Sequence, residues 1–225
     1  MYPGPSDPDF GPFVKATADE LERQGHAVAR AVVDRRGRSV AKQARLLGDA
    51  LRTARRVRPD VVYAHYLLPA GGAAALTAAL VRVPLVVTAH GRDVRNVGTL
   101  RGVATATRLV VRRAAAVVVP SSFLRRELLA RLPGRTPVEV ISNGVDLERF
   151  RGRDPEEARR RVGWAGTAPF FLCVGTLDER KNVVALADAF ERLGAGSLAF
   201  VGDGPLRARL LGRPSVLVVG RRTHA

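Results

Sequence analysis

The sequence predicts an α/β protein built from parallel sheets, and three observations predict it. Short β-type apolar runs recur at intervals of roughly 20 to 30 residues with helical patterns between them. The apolar content, 46%, comes from Val, Leu and Ala, while aromatics make up 5%, as expected of Val-rich buried strands alternating with Ala/Leu-rich helices. Glycines and serines follow several of the runs, where a parallel strand hands over to a helix.

The β-type runs are 27–33, 60–65, 84–89, 115–119, 137–141, 169–174, 197–201 and 215–219. Between them, 13–24 reads as an amphipathic helix: Val14, Ala18 and Leu21 share a face, Lys15, Asp19 and Glu22 point elsewhere, and Gly25 stops it. The helix at 183–193 follows the same logic, with Asn182 as its expected cap, Val183, Leu186, Ala187 and Phe190 as its stripe, and Gly194 at its end. The stretch 146–168 is rich in Arg, Glu, Gly and Pro and reads as a linker carrying a short helix at 155–162. Two Rossmann-like domains are expected, 1–145 and 169–225. The first opens on Tyr2-Pro3-Gly4-Pro5-Ser6-Asp7-Pro8, which reads as a ligand loop without its preceding strand, and the second stops after three strands; both are expected to be incomplete.

Composition narrows the function. A net charge of +16, from an excess of arginine, suits phosphates, anionic lipid headgroups or nucleic acid. Arg35, Arg36, Arg38, Arg52, Arg55, Arg56 and Arg58 lie along helices and turns with almost no aromatics nearby, so nucleic acid is not the expected partner and most of these side chains read as solvated helix faces. The single cysteine, Cys173, forms no internal disulfide, and the histidines are scattered without ligand spacing, so no metal site is expected. No run reaches the ~18 to 20 apolar residues of a membrane span, and Met1-Tyr2-Pro3-Gly4-Pro5 lacks the regions of a signal peptide. The expectation is a soluble, cytoplasmic protein, with peripheral contact at the inner face of the membrane as an option.

Four strand ends carry candidate chemistry. Phe170 to Val174 runs into Gly175-Thr176-Leu177-Asp178-Glu179-Arg180-Lys181-Asn182, a glycine turn, a basic pair and a helix start, which suits a diphosphate; an ordinary strand-to-helix turn with solvated Arg180 and Lys181 is the equal alternative. Phe200-Val201-Gly202-Asp203-Gly204-Pro205 ends the next strand; Arg207 stands where a dinucleotide fingerprint needs glycine, so NAD chemistry is disfavoured and the glycines read as close approach to a nucleotide, or merely a tight turn. His90-Gly91-Arg92-Asp93 emerges from the strand at 84–89, with His90 either facing a ligand or hydrogen-bonded to Asp93, and His65 closes the preceding strand at the same edge. Pro120-Ser121-Ser122 and Ser142-Asn143-Gly144-Val145-Asp146 read as a helix cap and a turn.

In order, the Tyr2-Pro3 to Gly11-Pro12-Phe13-Val14 opening, Gly25-His26-Ala27-Val28, His90-Gly91-Arg92-Asp93, Pro120-Ser121-Ser122, Ser142 to Asp146, Val174-Gly175 to Lys181-Asn182 and Gly202-Asp203-Gly204-Pro205 resemble glycosyltransferase family 4, whose members are retaining GT-B enzymes. The resemblance spans nearly the whole chain and rests on the joint order of motifs that are individually weak. It implies a GT-B-like fold and transfer of a sugar from a nucleotide-diphosphate donor to a glycan, lipid-linked or small-molecule acceptor, with retention and without a cofactor or metal. It also implies an acceptor-side first domain, a donor-nucleotide second domain and reaction in the cleft between them. By position, His90 would sit near the donor sugar, Lys181, supported by Arg180 and Gly175, would hold the diphosphate, and Gly11 would let its loop approach the phosphates. Gly202 and Gly204 would face the nucleotide, and Gly220-Arg221 would lie near the base. The family often has arginine where this chain has Thr176, and its donor-gripping glutamate pair has no counterpart before Ala225, from which a truncated, weakly active or inactive form is expected. The alternative from another class is a non-catalytic basic protein for anionic membrane or nucleic acid.

Overall fold

The computed structural model describes residues 2–5, 10–34, 39–99, 102–148 and 150–222. Arg35, Arg36, Arg38, the loop 6–8 and the tail 223–225 lie outside the described residues. The chain divides into two compact units, Met1–Val145 and Asp146–Ala225.

The first unit runs α1 (Pro12–Arg23), α2 (Val40–Val57), β1 (Val62–His65), α3 (Ala70–Val81), β2 (Leu85–Thr88), α4 (Arg92–Arg95), α5 (Val103–Arg113), β3 (Ala116–Val119), α6 (Ser122–Arg131) and β4 (Val138–Val140). Its four strands lie in chain order, all parallel, each joined to the next through helix. Parallel pairing forces such crossovers and buries the sheet on both faces, which is why β2 and β3 read as near-continuous apolar runs. Leu85, Val87, Val117 and Val119 are fully buried among Val94, Val110, Leu124 and Leu128 of the covering helices. Each such side chain contributes about 1.5–3 kcal/mol on leaving water. Helix α3 is made of Ala and Gly because it packs closely: a Cβ on Gly71 would stand 2.8 Å from the Tyr66 carbonyl oxygen and 3.1 Å from Val110. Only Leu46 and Ala54 of α2 are buried, leaving Arg45, Arg52, Arg55 and Arg56 in solvent.

The second unit runs α7 (Pro155–Arg161), β5 (Phe170–Val174), a 3₁₀ turn (Glu179–Lys181), α8 (Val183–Leu193), β6 (Ser197–Val201), a second 3₁₀ turn (Arg207–Arg209) and β7 (Val216–Gly220). Its sheet is parallel in the order β5-β6-β7. Central β6 has Ser197 to Phe200 buried, whereas edge β5 leaves Leu172 and Val174 exposed. Val183, Ala187 and Phe190 of α8 pack on Leu177, Leu198, Phe200, Leu206 and Leu210. Residues 146–168 pack with this unit: the Ser197 hydroxyl takes the Thr167 amide and donates to the Thr167 carbonyl, both at 2.9 Å. Trp164 meets Phe170 edge-on at 5.2 Å, and the Arg159 guanidinium sits 4.1 Å from the same ring.

Three expectations need correction. The run 27–33 is not a strand; its backbone takes one bond from Tyr2 N to Val33 O (3.0 Å), and Val32 stays 40% exposed. Apolar residues make a strand only where a continuous ladder runs beside them, and among the described residues this run meets only the Tyr2 stretch at its end. Asn182 begins α8 without a side-chain cap: in the left-handed region (φ 49°), it instead closes the preceding 3₁₀ turn with its amide on the Glu179 carbonyl. Leu186 remains 40% exposed, so the apolar stripe of α8 is narrower than its sequence suggests.

Candidate functional site

Strands β1, β2 and β3 point their carboxyl ends the same way, so the residues that follow them meet at one edge, the position where open α/β sheets take ligands. His65 is the last residue of β1 and pairs in register with Thr88 of β2; His90 stands two residues beyond Thr88. Their rings stack at 5.3 Å with 21° between planes, and His65 Nδ1 lies 3.1 Å from His90 Nε2. Phe13, just after Gly11 at the start of α1, brings its ring to 4.7 Å from His90, and Tyr66 reaches 4.5 Å. Tyr63 closes the group at 4.8 Å from His65, with its hydroxyl 2.7 Å from Thr88 Oγ1.

Asp93 fastens this edge. Its buried carboxylate accepts from the backbone amides of His90 and Leu67, each at 2.9 Å, and of Val94 at 3.1 Å. One side chain thus ties the loop after β1 to the loop after β2 and the first turn of α4. The expected link between His90 and Asp93 runs through the histidine's backbone, leaving the ring to His65. Two positive φ angles shape the edge: Gly91 (92°) turns the chain into α4, and Tyr66 (78°) holds a conformation that a non-glycine residue rarely adopts. Tyr66 is clamped there by its amide on Thr88 O (2.8 Å) and its carbonyl under Gly71 N (3.0 Å). Ser121 caps α6 by accepting from Leu124 N at 3.2 Å.

Burial sets the charge of this cluster. It pushes His65 down to about 4, with His90 adding to the shift, and lowers His90 as well, where the Asp93 carboxylate works in the opposite direction. Burial raises both Tyr63 and Tyr66. Near neutral pH the edge therefore offers two uncharged imidazoles and two phenols, a hydrogen-bonding and stacking surface rather than a charged one.

In the second unit, the strand-end loops interlock. Gly175 N donates to Val201 O (2.9 Å), Leu177 N to Asp203 O (3.0 Å) and Gly202 N to Gly220 O (2.9 Å). A Cβ on Gly202 would lie 1.8 Å from the Gly175 carbonyl oxygen, and one on Gly204 2.5 Å from that of Leu177. Close approach is therefore what these two glycines supply, and the neighbour they admit is the adjoining loop. Gly175 (φ 150°) has room for a side chain but an unfavourable conformation, and the aliphatic end of Lys181 lies beside it. Arg180 is not free: its guanidinium donates to Asp178 Oδ2 at 2.6 and 3.0 Å, which holds the Asp178 carboxyl below its usual range. Lys181 is exposed and takes no ion pair among the described residues. Arg221 follows Gly220 at the same carboxyl edge.

His65 and His90 are thus neighbours in the first unit, with Gly11 two residues before the Phe13 ring that packs on them, and Gly175, Arg180, Lys181, Gly202, Gly204 and Arg221 share one sheet edge in the second. Phe13 and Tyr66, which pack on the His90 ring, carry no local sequence signal of that contact. An open depression of about 400 Å³ lined by Trp164, Thr167, Ser197, Ser215 and Leu217 lies at the opposite, amino edge of the second sheet. Among the described residues, no three His, Cys, Asp or Glu side chains are placed to hold a metal ion, and no helix is long and apolar enough to cross a membrane.

Comparison with known proteins agrees with this architecture. TuaC of Bacillus subtilis (strain 168), named for a glycosyltransferase role in teichuronic acid biosynthesis, is 34% identical over 156 residues, covering 68% of this chain and 40% of that protein. The D-inositol 3-phosphate glycosyltransferase of Geodermatophilus obscurus is 33% identical over 167 residues, covering 69% of this chain and 36% of that one. Among solved structures, Anabaena Alr3699/HepE in complex with UDP superimposes with a TM-score of 0.64 at 22% identity, over 92% of this chain and 59% of that one. This likeness supports the GT-B-like α/β fold. The chain spans well under half the length of these two sequence relatives. The model of Glycosyltransferase Family 4 matches residues 11–149, which contain the whole histidine edge, and the chain belongs to that family.

Proposed function

We propose that this chain carries the nucleotide-sugar-handling surfaces of a retaining glycosyltransferase, and one observation carries the reading: the family match encloses the uncharged His90 edge at the carboxyl ends of a parallel sheet. Sugar transfer breaks the bond between the anomeric carbon and the diphosphate oxygen, and the electron pair leaves with the diphosphate. The acceptor hydroxyl bonds to that carbon on the vacated face, and its proton passes to the departing diphosphate oxygen. The developing charge is on phosphate, so the protein's task there is electrostatic. Lys181 is the group assigned to it, carried on the Gly175 loop that Gly202 and Gly204 hold in place, and Arg221 lies near the nucleotide base. Arg180 joins Lys181 only by leaving the Asp178 carboxylate. His90 faces the sugar, and Gly11 brings the start of α1 toward the phosphates. No metal is needed for this scheme, and the acceptor is a glycan, lipid-linked or small molecule in a cytoplasmic setting.

The test is release of nucleoside diphosphate from UDP- and GDP-sugars, with and without added acceptors. Lys181→Ala is expected to lower it about tenfold, the worth of one charge-assisted phosphate contact. Failure of the chain, and of a longer form of it, to bind or turn over any nucleotide sugar would sink the reading.

A second reading, peripheral binding to anionic membrane, is favoured by the row of exposed arginines on α2 and the net charge of +16. It requires co-sedimentation with phosphatidylserine vesicles that falls steeply with salt; no binding at low salt removes it.

A further inference from the structure

The proposed chemistry leaves His65 without a role, although its ring meets His90 directly. We infer that His65 is a positioning residue for His90: its Nδ1–H donates to His90 Nε2, fixing the His90 ring as the Nδ1–H tautomer, so that His90 meets its ligand as a hydrogen-bond donor and not as a base. The part of this that concerns a ligand rests on the function proposed above; the tautomer does not.

The geometry supplies the argument. At 3.1 Å between His65 Nδ1 and His90 Nε2, one nitrogen must donate and the other accept, because two lone pairs or two N–H groups facing each other at that distance repel. Neither ring is free to turn away. His65 is held by the β1–β2 register and the Tyr63 ring, and His90 by its amide on Asp93 and by the rings of Phe13 and Tyr66. The direction of the bond follows from the surroundings. The Asp93 carboxylate raises the proton affinity of His90, while His65 has no carboxylate partner among the described residues. His90, whose own loop holds the Asp93 carboxylate 2.9 Å from its amide, is the ring that accepts, and a neutral imidazole that accepts at Nε2 carries its proton on Nδ1.

The experiment is a long-range ¹H–¹⁵N correlation spectrum of the imidazole rings near pH 7.5, practical in a chain with four histidines. The expected result is a single tautomer for His90, protonated at Nδ1; protonation at Nε2 or an even mixture overturns the inference. Two variants extend the test. His65→Asn places an amide N–H where Nδ1 stood and should keep the tautomer and nucleotide-sugar binding. His65→Phe preserves the ring packing without the donor, so it should release His90 into a mixture and weaken UDP-glucose or GDP-mannose binding about tenfold, as loss of an orienting partner does elsewhere. If His90 keeps one tautomer in the His65→Phe chain, the positioning role falls. If the tautomer changes while nucleotide-sugar binding does not, the positioning role stands and the placement of His90 at the sugar falls instead.

Discussion

Replacing Asp93 by alanine removes the acceptor of three backbone amides, those of Leu67, His90 and Val94 at 2.9, 2.9 and 3.1 Å, in a site only 8% exposed. A hydrogen bond to a charged acceptor contributes roughly 1.5–3 kcal/mol, and a buried amide left without a partner costs about 1–3 kcal/mol. Water entering the vacated space restores part of this, so the expected loss is about 3–5 kcal/mol rather than the full sum. With a urea slope near 2 kcal/mol/M, typical of units this size, the midpoint of the first unit's transition should fall by roughly 2 M. Asp93→Asn keeps one acceptor oxygen but turns an NH₂ toward an amide donor, so about half the effect is expected. Urea unfolding followed by circular dichroism reads both. A shift below about 0.5 M for Asp93→Ala would mean that the carboxylate does not fasten the edge as described.

Three further outcomes are expected. Gly202→Ala places a Cβ 1.8 Å from the Gly175 carbonyl oxygen, so the second unit should lose more than about 3 kcal/mol or fail to fold, read by the fluorescence of Trp164; near-normal stability would refute the interlocked loops. An unfolded histidine takes its proton near pH 6.5 and folded His65 only near 4, so the unfolded chain binds more protons between those values. Stability from this source is complete above pH 6.5 and falls as pH drops toward 4, by at most about 3 kcal/mol, and His65→Phe should flatten that slope in denaturant titrations at several pH values. Arg213→Ala removes contacts to Asp188 (2.6 Å) and Glu191 (3.2 Å) from a side chain 19% exposed and should lower the urea midpoint of the second unit; no change would place these contacts with ordinary surface ions.

All seven strands of the described residues were legible because parallel strands buried on both faces need unbroken apolar runs, and Val-rich segments such as 84–89 and 115–119 have few other uses. The run 27–33 misled because strand formation depends on a neighbour, which lies elsewhere in the chain and leaves no local trace. The ends of β2, β5 and β6 announced themselves through glycine. The function of Gly202 and Gly204 did not, since a glycine that admits a ligand and one that admits an adjoining loop look alike in sequence. The His65–His90 contact spans 25 residues and exists only because β1 and β2 pair with His65 opposite Thr88, a register that no spacing rule fixes. Arg180 reads as a phosphate ligand in the sequence, and the structure pairs it with Asp178, two residues earlier.

Under the function proposed above, Lys181 serves the donor diphosphate and His90 the donor sugar. Calorimetric titration of UDP, GDP, UDP-glucose and GDP-mannose into the chain, its Lys181→Ala form and its His90→Ala form tests it most directly. Lys181→Ala should weaken the bare diphosphate and its sugar conjugate alike, by about tenfold, whereas His90→Ala should weaken the conjugate alone. Equal affinities across all three chains, or a His90→Ala form that loses the bare diphosphate as strongly as the conjugate, would contradict it.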